Sequence, residues 1–109
     1  MIAKAKQIAK RNKIKVVEGV YVGTSGPTFE TPAEYRYFRT IEGDAVGMST
    51  VPEIIVANHA GMKCFGIPII TDLGVPGKIV EVSHEEVQKI GNSVQPLMTL
   101  IMKELVQEI

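Results

Sequence analysis

This sequence has a single cysteine, no net charge and no long hydrophobic run, and each shortage removes a class of protein. With Cys64 alone there is no intrachain disulfide, so an oxidising compartment is not needed and a cytoplasmic location is expected. Within the apolar run KCFGIPII the thiol is expected to be buried and inert. Lys plus Arg total 12 and Asp plus Glu total 12, so no global field draws the chain to nucleic acid or to an anionic lipid surface. No stretch reaches the roughly 18 apolar residues of a membrane span. The start, MIAKAKQIAKRNK, has no apolar core of a secretion signal. Internal repeats, low-complexity tracts and interdomain linkers are also missing.

What is there suits one α/β domain over residues 1–109, since 45% hydrophobic residues supply a core. Ile2, Ala5, Ile8 and Ala9 recur at helical spacing and predict a helix over 1–12. VVEGVYVG is β-branched and aromatic and predicts a strand over 16–23, followed by a loop over 24–31. Helices are expected at 32–42 and 51–60, strands at 45–47 and 64–71, a loop at 73–82, and a long helix at 84–107. Val87, Ile90, Val94, Leu97, Ile101 and Leu105 mark the apolar stripe of that last helix, and Pro96 is expected to kink or divide it. Strands alternating with helices predict a layered, mixed sheet flanked by helices.

The first helix carries a basic run, Lys4, Lys6, Lys10 and Arg11, continued by Lys13 and Lys15 before the first acid, Glu18. No aromatic residue is interleaved with it, so it predicts a solvated face, not a nucleic-acid arm. Thr31–Glu34, Thr50–Glu53 and Ser83–Glu86 each match the capping box, in which a hydroxyl and a carboxylate three residues on satisfy the first backbone donors of a helix. Each of these starts adjoins a candidate ligand residue, Glu30, Ser49 or His84. In α/β sheets, ligands gather where strand ends run through loops into helix starts. Ser49 beside a helix N-terminus suits an anion, although Ser49 and Thr50 can equally serve the helix alone.

Two motifs, GPTFET at 26–31 and DAVGMSTVPE at 44–53, resemble the purine nucleoside phosphorylases of the trimeric type in order and spacing. The resemblance runs through the whole chain and corresponds to the C-terminal portion of that family, somewhat over a third of it. It implies a partial nucleoside-phosphorylase fold and phosphorolysis of purine ribonucleosides or deoxyribonucleosides to free base and sugar 1-phosphate. Inorganic phosphate is then the co-substrate, with no metal or organic cofactor. Phe29 falls on the family's base-packing aromatic, and Glu30 on the carboxylate that accepts from the purine N1 and exocyclic edge. Val46 and Met48 fall on positions lining base and ribose, Ser49 on a phosphate contact, and His84 on the residue bonded to the ribose 5′-hydroxyl. Read from the residues alone, Phe29 is equally an ordinary core aromatic and Glu30 a helix-dipole partner. His59 has no counterpart and is expected to be structural.

Asp72 departs from the family pattern. In members preferring guanosine and inosine that position is usually Asn. A carboxylate repels a 6-oxo group and accepts from a 6-amino group, so Asp72 leans toward 6-aminopurines unless it is protonated. Glu30 and Asp72 are the expected catalytic pair. Methylthioadenosine phosphorylases also carry Asp in this region, an alternative that the segment GVPGKIVEVSHEEV does not favour.

The family's N-terminal phosphate loop, its Arg and His phosphate clamp and an aromatic from a neighbouring subunit have no counterpart here. The resemblance therefore implies impaired activity for this chain alone. It also implies either a homo-oligomer, a trimer by family habit, or a partner supplying the N-terminal part. A non-catalytic purine-binding or interaction remnant is the alternative.

Overall fold

A computed structural model describes residues 1–75, 77–80 and 82–109; Pro76 and Glu81, within or beside the expected loop at 73–82, lie outside them. The elements are helix α1 (Ile2–Arg11), strand β1 (Tyr21–Gly23), helix α2 (Pro32–Thr40), strand β2 (Ala45–Gly47), helix α3 (Val51–His59) and helix α4 (His84–Glu108). The α/β character is as expected, with a parallel two-stranded sheet among the described residues. The chain divides into two compact units. One comprises Met1–Glu18, Ile67–Thr71 and Val82–Ile109; the other comprises Gly19–Gly66 and Asp72–Glu81.

The first unit is built on α1 and α4. The spacing that predicted α1 places Ala5, Ile8 and Ala9 on one face, where they are buried with Ile101 and Leu105 of α4. Ile8 is wholly inaccessible, and Ile101 and Leu105 are each 1% exposed. The rest of the predicted α4 stripe is looser, and Leu97 is 47% exposed. Charge seals the rim of this pair: Arg11 reaches Glu104 and Glu108 at 2.6 Å each, and Lys4 Nζ donates to the Glu108 carbonyl. Hydrogen bonds from the Arg11 guanidinium, first to Glu104 and then to Glu108, hold its pKa above the usual value. Lys6 pairs with Glu18 at 3.1 Å, so acids answer Lys6 and Arg11 of the six-residue basic run.

Of the kink or division expected at Pro96, the division does not occur: helix α4 runs unbroken through it. Proline removes one backbone donor, and the turns on either side keep the helix continuous. Its start is specified as predicted: Ser83 Oγ accepts from Glu86 N–H at 3.2 Å while Glu86 accepts from Ser83 N–H at 2.8 Å. Donation to the carboxylate from the Ser83 N–H, and then from the Ser83 hydroxyl at 3.0 Å, holds the Glu86 carboxyl below its usual pKa.

The second unit holds the sheet, α2 and α3. Thr31 and Glu34 form the same box at α2, with the same lowering of the Glu34 pKa. Asp44 fixes the entry to both strands: Oδ2 accepts from Val20 N–H at 2.9 Å and Oδ1 from Arg39 at 3.2 Å. Helices α1, α2 and α3 all end in a bond spanning six residues, Ile14 N–H to Ala9, Gly43 N–H to Phe38 and Met62 N–H to Ala57. The turning residue is Gly61 only in α3; Lys13 and Glu42 take the left-handed conformation at the other two, at φ 56° and 66°.

Two strand expectations need correction. Only Tyr21–Gly23 of the 16–23 segment pairs, and 64–71 forms no strand among the described residues. A β-rich run becomes a strand only where a neighbour exchanges backbone bonds with it, and the one ladder here is three residues long. Burial still alternates over 67–71, with Ile67 and Ile69 half-buried and Pro68 and Ile70 exposed, the pattern of an extended segment. For the same reason Cys64 is half-buried, not buried; its Sγ lies 3.6 Å from the Met62 carbonyl.

Candidate functional site at the strand ends

In the sheet, Tyr21 lies opposite Ala45, Val22 opposite Val46 and Gly23 opposite Gly47. Because the strands are parallel, the segments leaving their C-terminal ends, residues 24–31 and 48–50, emerge at one edge, where α/β sheets gather ligands. Thr24 N–H continues the pairing with a 3.0 Å bond to the Gly47 carbonyl. The segments also touch: a Cβ on Gly26 would strike Met48 Sδ, and Gly26 adopts φ +66°, a conformation that disfavours side chains. Glycine there lets the GPTFET loop lie directly on Met48.

The apolar residues at this edge are open to solvent, Phe29 at 49% and Met48 at 40%, while Val46 is half-buried within β2. Ser49 is exposed, and its carbonyl is held from two sides, by Val51 N–H at 2.8 Å and by the Tyr21 hydroxyl at 3.3 Å. The first of these bonds closes a three-residue γ-turn centred on Thr50, whose φ of 75° and ψ of −50° are strained for a β-branched residue, by roughly 1–3 kcal/mol.

That turn overturns the capping box expected at Thr50–Glu53: Thr50 makes no side-chain cap bond. A cap hydroxyl reaches back to the helix only from extended backbone, as at Thr31 (φ −74°, ψ 160°) and Ser83 (φ −86°, ψ 157°). The start of α3 therefore has its positive dipole end beside the Ser49 hydroxyl without a side-chain oxygen folded over it.

Glu30 is half-buried, and its Oε2 accepts from the Tyr35 hydroxyl at 3.3 Å. Tyr35 sits on α2 with its ring against Gly74, so close that any side chain at 74 would overlap it. Its hydroxyl also feels the charge of Asp72. Burial first, then the charges of Glu30 and Asp72, push its pKa up to about 12. Tyr35 thus gathers Glu30, from the loop after β1, and the half-buried Asp72 into one acidic neighbourhood.

Among the candidates, Phe29, Glu30, Val46, Met48, Ser49 and Asp72 all belong to the unit that holds the sheet. His84 belongs to the α1–α4 unit. There it is the exposed first residue of α4, with its Nε2 3.0 Å from Gln88 Nε2. His59 is exposed in the last turn of α3, where a helix end favours positive charge. Tyr21 and Tyr35 escaped the sequence reading. The signal for Tyr35 is an aromatic hydroxyl one turn into a capped helix, behind a loop carboxylate; for Tyr21 it is strand alternation opposite GMS.

A family model described as the phosphorylase superfamily matches residues 1–107. The chain belongs to the phosphorylase superfamily. Within it, purine nucleoside phosphorylase 1 of Bacillus subtilis (strain 168) is 44% identical over 104 residues, covering 95% of this chain and 38% of that protein. The purine nucleoside phosphorylase of Rattus norvegicus is 39% identical over 106 residues, covering 95% and 36%. Among solved structures, a schistosoma purine nucleoside phosphorylase in complex with hypoxanthine matches with a TM-score of 0.90 at 32% identity, over 98% of this chain and 40% of that one. This phosphorylase-superfamily chain therefore spans well under half the length of the relatives it matches, and the expectation of somewhat over a third agrees with that coverage.

Proposed function

We propose that this chain is the base- and ribose-binding portion of a purine nucleoside phosphorylase, a pentosyltransferase that uses inorganic phosphate to cleave purine ribonucleosides or deoxyribonucleosides to base and sugar 1-phosphate. The observation that carries the reading is the shared sheet edge, where the loop bearing Phe29 and Glu30 lies on Met48, next to Ser49. Phe29 offers a π-face and apolar area to the base, Glu30 an acceptor for the N1–H of a 6-oxopurine, and Asp72, when ionised, an acceptor for the amino group of a 6-aminopurine. Val46 and Met48 line base and ribose, and His84 serves the 5′-hydroxyl. Ser49 and the start of α3 hold a phosphate oxygen and so position the anion that attacks the sugar, while negative charge passes from phosphate to the departing base.

Support comes from the relatives, named purine nucleoside phosphorylase, and from related structures described in complex with hypoxanthine and with adenosine. The proposal includes no metal or organic cofactor, a homo-oligomer or a completing polypeptide, a cytoplasmic location, and no nucleic-acid or membrane partner. Among the described residues no helix is long and apolar enough to cross a membrane. A non-catalytic purine-binding module is the second reading.

Phosphate-dependent release of base from inosine and from adenosine by the purified chain tests the first reading. Slow turnover is expected, because one hydroxyl and a helix start stabilise less charge than a cationic clamp. Glu30→Ala is expected to weaken hypoxanthine binding by about 10- to 100-fold, the range for a hydrogen bond to a charged group. Purine binding without any release of base supports the second reading, and no purine binding at all rejects both.

A further inference from the structure

We propose that Tyr35 is a positioning residue for purine recognition: its hydroxyl holds Glu30 Oε2 and so leaves the other carboxylate oxygen, Oε1, turned to accept from the N1–H of a 6-oxopurine. The inference rests on the purine-binding reading above and adds a residue and a specificity to it.

The geometry provides three supports. The Tyr35 ring lies against Gly74, where no side chain can intervene, so the ring has little freedom and its hydroxyl has a fixed origin. The hydroxyl donates to Glu30 Oε2 at 3.3 Å, from the helix that Thr31 and Glu34 cap, so both partners hang from one well-specified helix start. Around it the charges are acidic, Glu30, Asp72 and Glu34, and they oppose loss of the phenolic proton. A lysine or arginine in this place would also hold the carboxylate, but it would cancel the charge that attracts N1–H. A phenol keeps Glu30 oriented and leaves its charge to the ligand. A free carboxylate, by contrast, samples several rotamers and loses that entropy on binding.

The test is a double-mutant cycle read as a ratio. Dissociation constants of hypoxanthine and of 1-methylhypoxanthine, which lacks the N1–H, are measured for the unmodified chain, Tyr35→Phe, Glu30→Gln and the double variant. The unmodified chain is expected to prefer hypoxanthine. Tyr35→Phe is expected to shrink that preference by about 3- to 10-fold, as for a single net hydrogen bond, with the 1-methyl compound unaffected. In the Glu30→Gln background, Tyr35→Phe is expected to add nothing. An equal loss for both ligands, or an unchanged ratio, overturns the positioning role while leaving purine binding standing. Failure of the unmodified chain to bind either compound overturns the parent reading and this one with it. Should the Phe variant not fold, an ultraviolet difference titration of the unmodified and Glu30→Gln chains decides: tyrosinate absorbance appearing at lower pH in Glu30→Gln supports the coupling, and superimposed curves overturn it.

Discussion

The two units of the chain are held together by different means. In the α1–α4 unit, Ala5, Ile8, Ala9, Ile101 and Leu105 are buried and Arg11 bridges two acids at the rim. In the unit with the sheet, the described apolar side chains stay at least partly accessible. Its order comes instead from directed bonds: the Thr31–Glu34 box, Asp44 on Val20 and Arg39, the γ-turn at Thr50 and Tyr35 on Glu30. Burial gives stability in proportion to area, whereas directed bonds give geometry at little net gain. The unit that carries Phe29, Glu30, Val46, Met48, Ser49 and Asp72 is therefore expected to show the lower local stability, as is common for ligand-binding segments.

The comparison is broken most strongly by Leu105→Ala, which opens a cavity between α1 and α4. A loss of about 2–5 kcal/mol is expected, measured by urea unfolding followed through helical circular dichroism. A loss below 1 kcal/mol would mean that the helix pair is not the chain's main core. Gly26→Ala strikes the other unit: a left-handed residue with a side chain costs about 1–2 kcal/mol, and the new methyl strikes Met48. Here hypoxanthine affinity is expected to fall, with a shift of the urea midpoint smaller than that of Leu105→Ala; an unchanged affinity would detach the GPTFET loop from the site.

Ser83→Ala is expected to cost about 1 kcal/mol, visible as fraying at the start of α4 in amide hydrogen exchange, with the Ile101 end unaffected. The smallest effect is on pH. Glu34 and Glu86 have folded-state pKa values below the ordinary glutamate value, so the stabilisation from their boxes is present above that ordinary value and is lost as pH falls through the lower folded values. Helix content is expected to drop in that acid range, and less so in a Glu34→Gln, Glu86→Gln chain. Identical acid titrations would show that the boxes carry no such linkage.

Where local chemistry decides structure, the sequence was legible. Helices α2, α3 and α4 begin where Pro32, Val51 and His84 follow their cap positions, and β2 occupies the three residues expected of it. What escaped was non-local or strained. Arg11 and Glu104 lie 93 residues apart, so no periodicity announces their pairing. Strand length depends on a partner, and runs of valine and isoleucine at 16–20 and 64–71 cannot supply one for themselves. The hydroxyl of Thr50 suggested a cap, but positive φ is a state its residue type disfavours and composition does not reveal. Of the candidate site, the two motifs run through the ends of the paired strands, while Tyr35 and Tyr21, which bond to Glu30 and to the Ser49 carbonyl, came only from the three-dimensional arrangement.

Helix α4 buries Ile101 and Leu105 near its C-terminal end, and His84 is its exposed first residue at the other. At a rise of about 1.5 Å per residue, roughly 25 Å of rod separates the anchor from the imidazole, so a tilt of about 5° at the base sweeps the ring through some 2 Å. Pro96, whose ring leaves the Asn92 carbonyl without its usual helical donor, lies part-way along that lever and is the natural point for it to flex. Loosening the packing around Ile101 and Leu105 is thus expected to displace the imidazole by more than the packing itself moves.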